Sequence, residues 1–306
     1  MDRVEDAPAI ETLGLSKTYS GGTRALVDLD LRVERGEVFG YLGPNGAGKS
    51  TTIRLFLGLI RPTAGRAALL GRDTQRDGVA ARRIVGYLPG DLRLADRLTG
   101  SEQLDSLARL RGSVDPRLRD ALCERLEVVL DRPIRQLSRG NRQKIGIVQA
   151  FMHRPELVVL DEPSAGLDPL LQAEMRTLLR ESAAAGATVF LSSHSLDEVQ
   201  HVADRVGIIR AGRLTDVDAV EALRERALRH VTVTFAESVD PGALARLEGV
   251  RVVRVDGPVV SLSAPETAMD ALLKTIAPHS VRDFVSEPAD LEEIFLELYR
   301  ESGDGR

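Results

Sequence analysis

Apolar and polar positions along this chain separate strands from helices before any motif is considered. Ile10 to Leu15 alternates as a strand and runs into the turn Ser16 to Gly22. Ala25 to Val33 alternates as a half-buried strand and closes at Glu34-Arg35-Gly36. Four short apolar runs read as buried strands: Glu37–Leu42, Ile84–Pro89, Leu157–Pro163, which ends in two carboxylates, and Thr188–His194, which has a polar tip. Arg66 to Leu70 adds a short strand, and Val206 to Leu214 reads as two strands around Ala211-Gly212.

Helical spacing appears between these runs. Thr52 to Leu59 follows a glycine-rich loop and is broken by Pro62-Thr63-Ala64-Gly65. Thr99 to Glu102 has capping-box spacing and leads into a face of Leu104, Leu107, Ala108 and Leu110. Residues 113–130 continue as helix, and a further helix carries Ile145, Val148, Phe151 and Met152 on one side. Residues 170–185 form an amphipathic helix and Leu196 to Ala203 a shorter one.

Past residue 228 the pattern changes. Val231–Phe235 is a strand and Pro241–Leu247 a short helix; Val250–Val255 and Val259–Ser263 flank Asp256-Gly257 as a hairpin. Glu266–Ile276 is a helix, Val281–Val285 a strand and Ala289–Arg300 an amphipathic helix. The order βαββαβ suggests a small ferredoxin-like α+β domain over residues 228–301. The expected division is a loose N-terminus at 1–8, a large α/β domain at 9–227 with a helical subdomain at about 91–153, the small domain, and a tail at 302–306.

Composition narrows the class. With 306 residues, 43% hydrophobic and 28% charged, the chain reads as an ordinary globular protein. A net charge of −5 without a basic run argues against nucleic acid as a partner. The single cysteine, Cys123, excludes an internal disulfide and a cysteine-based zinc site, and fits a reducing compartment and a plain helix position. No apolar run approaches the ~18–20 residues that cross a bilayer, and the charged start Met1–Asp6 shows no signal peptide. A membrane role would therefore come through a partner.

The chemistry concentrates at Gly43-Pro44-Asn45-Gly46-Ala47-Gly48-Lys49-Ser50-Thr51, between a buried strand and a helix. Strand, G-x-x-x-x-G-K-S loop and helix together form a phosphate-binding P-loop. Its glycines let successive backbone N–H groups turn inward toward an anion, and the helix adds its positive end. Lys49 is expected to reach the β- and γ-phosphates of a nucleoside triphosphate, and Ser50 to place its hydroxyl on Mg²⁺. One P-loop alone leaves kinases, GTPases, helicases and transport ATPases open.

The order of the remaining motifs resembles the ATP-binding cassette of ABC transporters. Leu137-Ser138-Arg139-Gly140 precedes Val158-Val159-Leu160-Asp161-Glu162-Pro163, then Gly166-Leu167-Asp168-Pro169, then a strand ending in His194. The match covers roughly residues 10–220, and Asp290–Leu296 resembles the tail of multidrug- and antibiotic-export ATPases. The resemblance implies an α/β P-loop fold, with a RecA-like core, an antiparallel β subdomain and a helical subdomain. It implies ATP and Mg²⁺, with Asp161 holding the metal through water, Glu162 orienting the attacking water, and His194 touching the γ-phosphate.

It further implies Tyr19 stacking on adenine, although an ordinary core or surface tyrosine would look the same. Ser138 and Gly140 would bind the nucleotide of a second, identical subunit, with Asp168 in the crossing loop or simply stabilising its turn. Two departures stand out. Gly90 and Asp91 occupy the place of a usual glutamine, leaving Asp91 or a water to serve there. Arg139 and Asn141 replace the commonest glycine and glutamine, and Arg139 either faces the opposite nucleotide or lies in solvent.

The implied function is the ATPase subunit of an exporter on the cytoplasmic face of a membrane, working as a head-to-tail dimer through a separate polytopic permease. The permease surface is expected near Gly90-Asp91 and the helices from Thr99. A soluble cassette ATPase, a low-turnover nucleotide-binding module, and import instead of export stand as alternatives.

Overall fold

The computed structural model describes residues 7–287 apart from 113, 165, 166 and 227. Alternating sequence and antiparallel pairing coincide in its first sheet, of order β2-β1-β4-β5. Its strands are β1 (Ile10–Thr18), β2 (Arg24–Val33), β4 (Ala64–Leu69) and the two-residue β5 (Arg72–Asp73). β1 runs past its expected end to Thr18, because Thr18 still pairs with Arg24 and the turn is only Tyr19–Gly22. Ile10, Leu29, Leu31 and Val33 face the core. Buried Thr12 is tolerated among them because its hydroxyl donates to Leu29 O and accepts the Leu31 N–H, both at 2.9 Å.

The unbroken apolar runs form the second sheet, of order β10-β9-β3-β8-β7-β6. Here β3 (Val38–Leu42), β6 (Val85–Leu88), β7 (Leu157–Asp161) and β8 (Thr188–Ser193) join β9 (Arg205–Arg210) and β10 (Arg213–Ala219). The pairings β6–β7, β7–β8, β8–β3 and β3–β9 are all parallel. Strands paired this way are covered on both faces, which is why β3, β7 and β8 lack polar alternation and are buried throughout. Around them lie α1 (Lys49–Phe56), α2 (Gly78–Arg83), α6 (Pro169–Ala184) and α7 (Leu196–Gln200). Phe190 is the aromatic centre, with ring centroids of Phe39, Tyr41 and Phe56 at 5.8, 5.3 and 5.0 Å. Register places Tyr41, Ser192 and Asp161 side by side, so the C-terminal ends of β3, β8 and β7 present their last residues along one edge. Ligands of open parallel sheets bind at that end of the strands.

The helical segment departs from expectation at two places, the stretch 113–130 and Leu110. Residues 113–130 are not one continuing helix: α3 (Gly100–Arg111) stops at Gly112, whose φ of 78° ends the turn. Asp115 then caps α4 (Pro116–Arg125), and Glu127, at φ 50°, stands beyond its end. The Thr99–Glu102 capping box is formed in both directions, at 2.8 and 3.2 Å. Leu104 is buried, but Leu110 is 83% exposed and belongs to no core. In α5 (Arg139–Phe151), Ile145, Val148 and Phe151 are buried, as is Met152 at its C-cap. Cys123 is buried on α4, and burial pushes its thiol up to about 11, which leaves it unreactive. The end of α3 is pinned to the sheet, where Arg111 Nη2 and His153 Nε2 both meet Val85 O, at 3.1 and 3.2 Å.

The chain divides into two compact units between Val217 and Asp218. The second holds α8 (Val220–Arg226), β11 (Arg229–Phe235), β12 (Arg251–Asp256), β13 (Val259–Ala264), α9 (Met269–Ile276) and β14 (Val281–Glu287). Its antiparallel sheet runs β12-β13-β11-β14. Counted within the unit this is order 2-3-1-4, the split βαβ order of a ferredoxin-like sheet. Gly257, at φ 56°, makes the hairpin turn. Pro241–Leu247 is not a helix: the segment forms turns, with one i→i+4 bond from Ala245 N to Pro241 O, and anchors itself through buried Leu244. The helix expected at Ala289–Arg300 lies outside the described residues. No helix among the described residues is long and apolar enough to cross a membrane.

Two stability predictions follow from this packing. Phe190→Ala empties the aromatic centre and is expected to cost about 3–5 kcal/mol in chemical denaturation. Burial, helped by the Arg111 charge, lowers the His153 pKa from 6.5 to about 4. The unfolded chain binds the extra proton in that window, so stability is fully present above pH 6.5 and is lost as pH falls toward 4. The melting midpoint of the wild type should therefore drop more steeply across that range than that of His153→Gln.

Candidate functional site

The phosphate loop is shaped by where side chains are forbidden. β3 delivers the chain to Gly43, where a Cβ would lie 2.4 Å from Ile209 O. Gly48 precedes α1 with φ 114°, and a Cβ there would lie 2.6 Å from Ala25 O. Between them Pro44 is half-buried, Asn45 and Gly46 are exposed, and Ala47 is buried. Ala47 O accepts from Gly212 N at 2.9 Å, and Gly212 O accepts from Val27 N at 2.8 Å, so the turn between β9 and β10 braces the loop. Ser50 and Thr51 sit half-buried in the first turn of α1. Thr52 is fully buried and returns its hydroxyl to Gly48 O at 3.0 Å.

Lys49 is only 6% exposed. Its ammonium donates to Gly43 O and, at 3.3 Å, to Pro44 O, and it pairs with Glu162 Oε1 at 3.1 Å. Glu162 follows the end of β7 in the left-handed backbone region, at φ 51°. Its N–H is held by Ser192 O at 3.1 Å and Ser192 Oγ at 3.2 Å. The second carboxylate oxygen, Oε2, meets His194 Nδ1 at 2.6 Å. Lys49, Glu162 and His194 are thus one contiguous cluster, with a half-exposed imidazole at its outer end.

Asp161, the last residue of β7, is 5% exposed. Its Oδ1 accepts the Ser192 hydroxyl at 2.6 Å, while Oδ2 has no hydrogen bond among the described residues. Tyr87 on β6 feels that carboxylate: burial first, then the Asp161 charge, pushes its phenol up to about 12. Gly90 comes close to the same group, since a Cβ on it would lie 3.1 Å from Asp161 O and 3.6 Å from Oδ2. Asp91 does not share that position; it is exposed and bound to Arg93 at 2.9 Å.

The other candidates lie apart from this cluster or at its edge. Tyr19 is 39% exposed, with its hydroxyl 3.4 Å from Thr51 Oγ1 and Lys17 Nζ 5.4 Å from its ring centre. Ser138 is the N-cap of α5, accepting Asn141 N–H at 3.2 Å, and Arg139 beside it is exposed. A Cβ on Gly140 would meet nothing within 4 Å, so the start of α5 opens outward. Asp168 caps α6, accepting Leu171 N–H at 2.9 Å, with Pro169 in the first helical position.

Two participants were not legible beforehand. Ser192 binds both carboxylate-bearing residues, yet in sequence it is only the first residue of the polar tip Ser192-Ser193-His194. Gly212 carries in sequence only the signature of a turn between strands. The signal for Ser192 lay in register, because Tyr41, Ser192 and Asp161 align only once β3, β8 and β7 are paired in parallel.

Comparison with known proteins agrees with this geometry. A model of the ABC transporter family matches residues 26–165. The daunorubicin/doxorubicin resistance ATP-binding protein of Streptomyces peucetius is 36% identical over 315 residues, covering 97% of this chain and 94% of that protein. The bacitracin transport ATP-binding protein of Bacillus licheniformis is 36% identical over 234 residues, covering 74% of this chain and 75% of that one. Among solved structures, an ATP-binding subunit of an ABC transporter superposes with a TM-score of 0.66 at 31% identity, covering 71% of this chain and 92% of the other. Similarity at that level along nearly the whole length means that the chain belongs to the ABC transporter family, as one of its ATP-binding ATPases.

Proposed function

We propose that this chain is the ATP-hydrolysing subunit of a drug or antibiotic exporter, acting as a head-to-tail pair beneath a separate polytopic permease on the cytoplasmic face of the membrane. The observation that carries the reading is the Lys49–Glu162–His194 cluster at the mouth of the P-loop. The names of the relatives, which speak of drug resistance and bacitracin transport, support the export half.

In this reading the β- and γ-phosphates enter the loop of Gly43–Thr51 and draw the Lys49 ammonium toward themselves. That frees Glu162 Oε1 to accept a hydrogen bond from the attacking water. Oε2 remains on His194, which fixes the imidazole so that its other nitrogen is directed to the γ-phosphate. Such a site works by positioning and electrostatics, as phosphoryl transfer demands. Tyr19, beside Thr51, offers its ring to adenine.

Mg²⁺ suits the oxygens present. The Ser50 hydroxyl and, through water, Asp161 Oδ2 would hold it, and no group of three or more His, Cys, Asp or Glu among the described residues forms a protein cage. A cation that keeps several waters and binds phosphate oxygens needs no more. When bound it neutralises charge on the phosphates.

The outward-facing start of α5, with Ser138, Gly140 and the first-turn N–H groups, is an anion site in search of a phosphate. A second copy placed head to tail would supply one, with Asp168 at the crossing.

Two experiments test this. Glu162→Gln should lower ATP turnover by about 10²-fold or more, retain ATP binding, and accumulate an ATP-dependent dimer in gel filtration. A negligible wild-type rate that the substitution leaves unchanged would instead make the chain a low-turnover regulatory module. Capture of the tagged chain from detergent-solubilised membranes of its host should recover a stoichiometric polytopic protein. Recovery of ribosomal proteins, or of no membrane protein, would overturn the permease assignment.

A further inference from the structure

Ser192 lies on β8 with no exposed surface, between Tyr41 on β3 and Asp161 on β7. The Tyr41 hydroxyl is engaged with Thr52 Oγ1 at 3.3 Å, so it does not compete for Ser192. A serine hydroxyl has one proton and two lone pairs. Its proton goes to Asp161 Oδ1 at 2.6 Å, because a carboxylate can only accept, and its oxygen accepts the Glu162 N–H at 3.2 Å. One buried hydroxyl therefore has a single orientation and two consequences.

The first concerns Asp161. With Oδ1 committed, Oδ2 is the oxygen left for a metal-bound water, and Gly90 leaves space beside it. The second concerns Glu162. A φ of 51° is costly for a residue with a side chain and persists only where the surroundings hold it. Here the two bonds from its N–H to Ser192 O and Oγ are that hold, and from this backbone the carboxylate reaches both Lys49 and His194.

We propose that Ser192 is a positioning residue for ATP hydrolysis, which selects the metal-facing oxygen of Asp161 and at the same time fixes the backbone from which Glu162 works. The inference rests on the reading above, in which Asp161 serves Mg²⁺ and Glu162 the water.

The test uses the full chain with Ser192→Ala and Ser192→Thr. Mg²⁺ titrations of ATP binding and steady-state turnover are measured beside ADP binding in EDTA. Ser192→Ala should raise the Mg²⁺ concentration for half-maximal effect and lower kcat, each by about 10- to 100-fold, the usual effect of losing an outer-shell partner. ADP affinity in EDTA should stay at the wild-type value, and Ser192→Thr, which keeps the hydroxyl, should restore both Mg²⁺ dependence and kcat. Wild-type Mg²⁺ dependence in Ser192→Ala overturns the proposal. So does an equal loss of metal-free ADP binding, the mark of a general structural role, or a Ser192→Thr variant that behaves like alanine. Absence of Mg²⁺-dependent turnover in the wild type removes the underlying reading and this inference with it.

Discussion

A buried ammonium group must be matched by charge or by hydrogen-bond acceptors, and Lys49 is buried to 6% exposure at the entrance of α1. Its partners come from two directions: the carbonyls of Gly43 and Pro44 from its own loop, and the carboxylate of Glu162, the residue after β7. The rest of the site can be derived from satisfying that charge. The loop can curl back on Lys49 only because Gly43 and Gly48 have no side chains to meet Ile209 O and Ala25 O. The carboxylate arrives only because Glu162 takes a left-handed backbone at the end of its strand.

The parallel sheet makes this arrangement possible at a distance in sequence. Residues 49, 162 and 194 share no local structure, yet β3, β7 and β8 are neighbours whose C-terminal ends lie in register. Because both faces of these strands are covered, the rigidity of the Phe190 centre extends to their last residues. Positioning to a few tenths of an ångström, which phosphoryl transfer requires, is thus a property of the core as much as of the motif.

Local rules were enough for much of this. The apolar runs gave buried strands, Thr99 and Glu102 a capping box, and Asp256-Gly257 a hairpin. What failed was information carried by space. Residues 113–130 look helical by composition, but Gly112 takes a left-handed φ and Asp115 restarts the helix. Pro241–Leu247 has helical spacing, yet burial of Leu244 in turns meets its need with a single i→i+4 bond. Leu110 fits a helix face in sequence and faces solvent in the fold, because α3 is covered on the side of Leu104 only. Ser192 was invisible for the same reason: a hydroxyl at the polar tip of a strand has meaning only when its neighbours across the sheet are known.

The departures from the usual cassette pattern also acquire separate physical meanings. Asn141 is nine-tenths buried and its amide clamps the backbone of Val129 in both directions, at 3.0 and 3.1 Å. It therefore secures the approach to α5 internally and is unavailable to a ligand. Arg139, two residues earlier, makes no such bond among the described residues and stands exposed at the open helix end. Gly90 is different again. Any side chain there would start 3.1 Å from Asp161 O, so a glutamine would need room that this loop does not provide without moving. The space beside Asp161 Oδ2 is better suited to water than to a protein ligand. Orientation of that carboxylate must then come from behind, through the strand that carries Ser192.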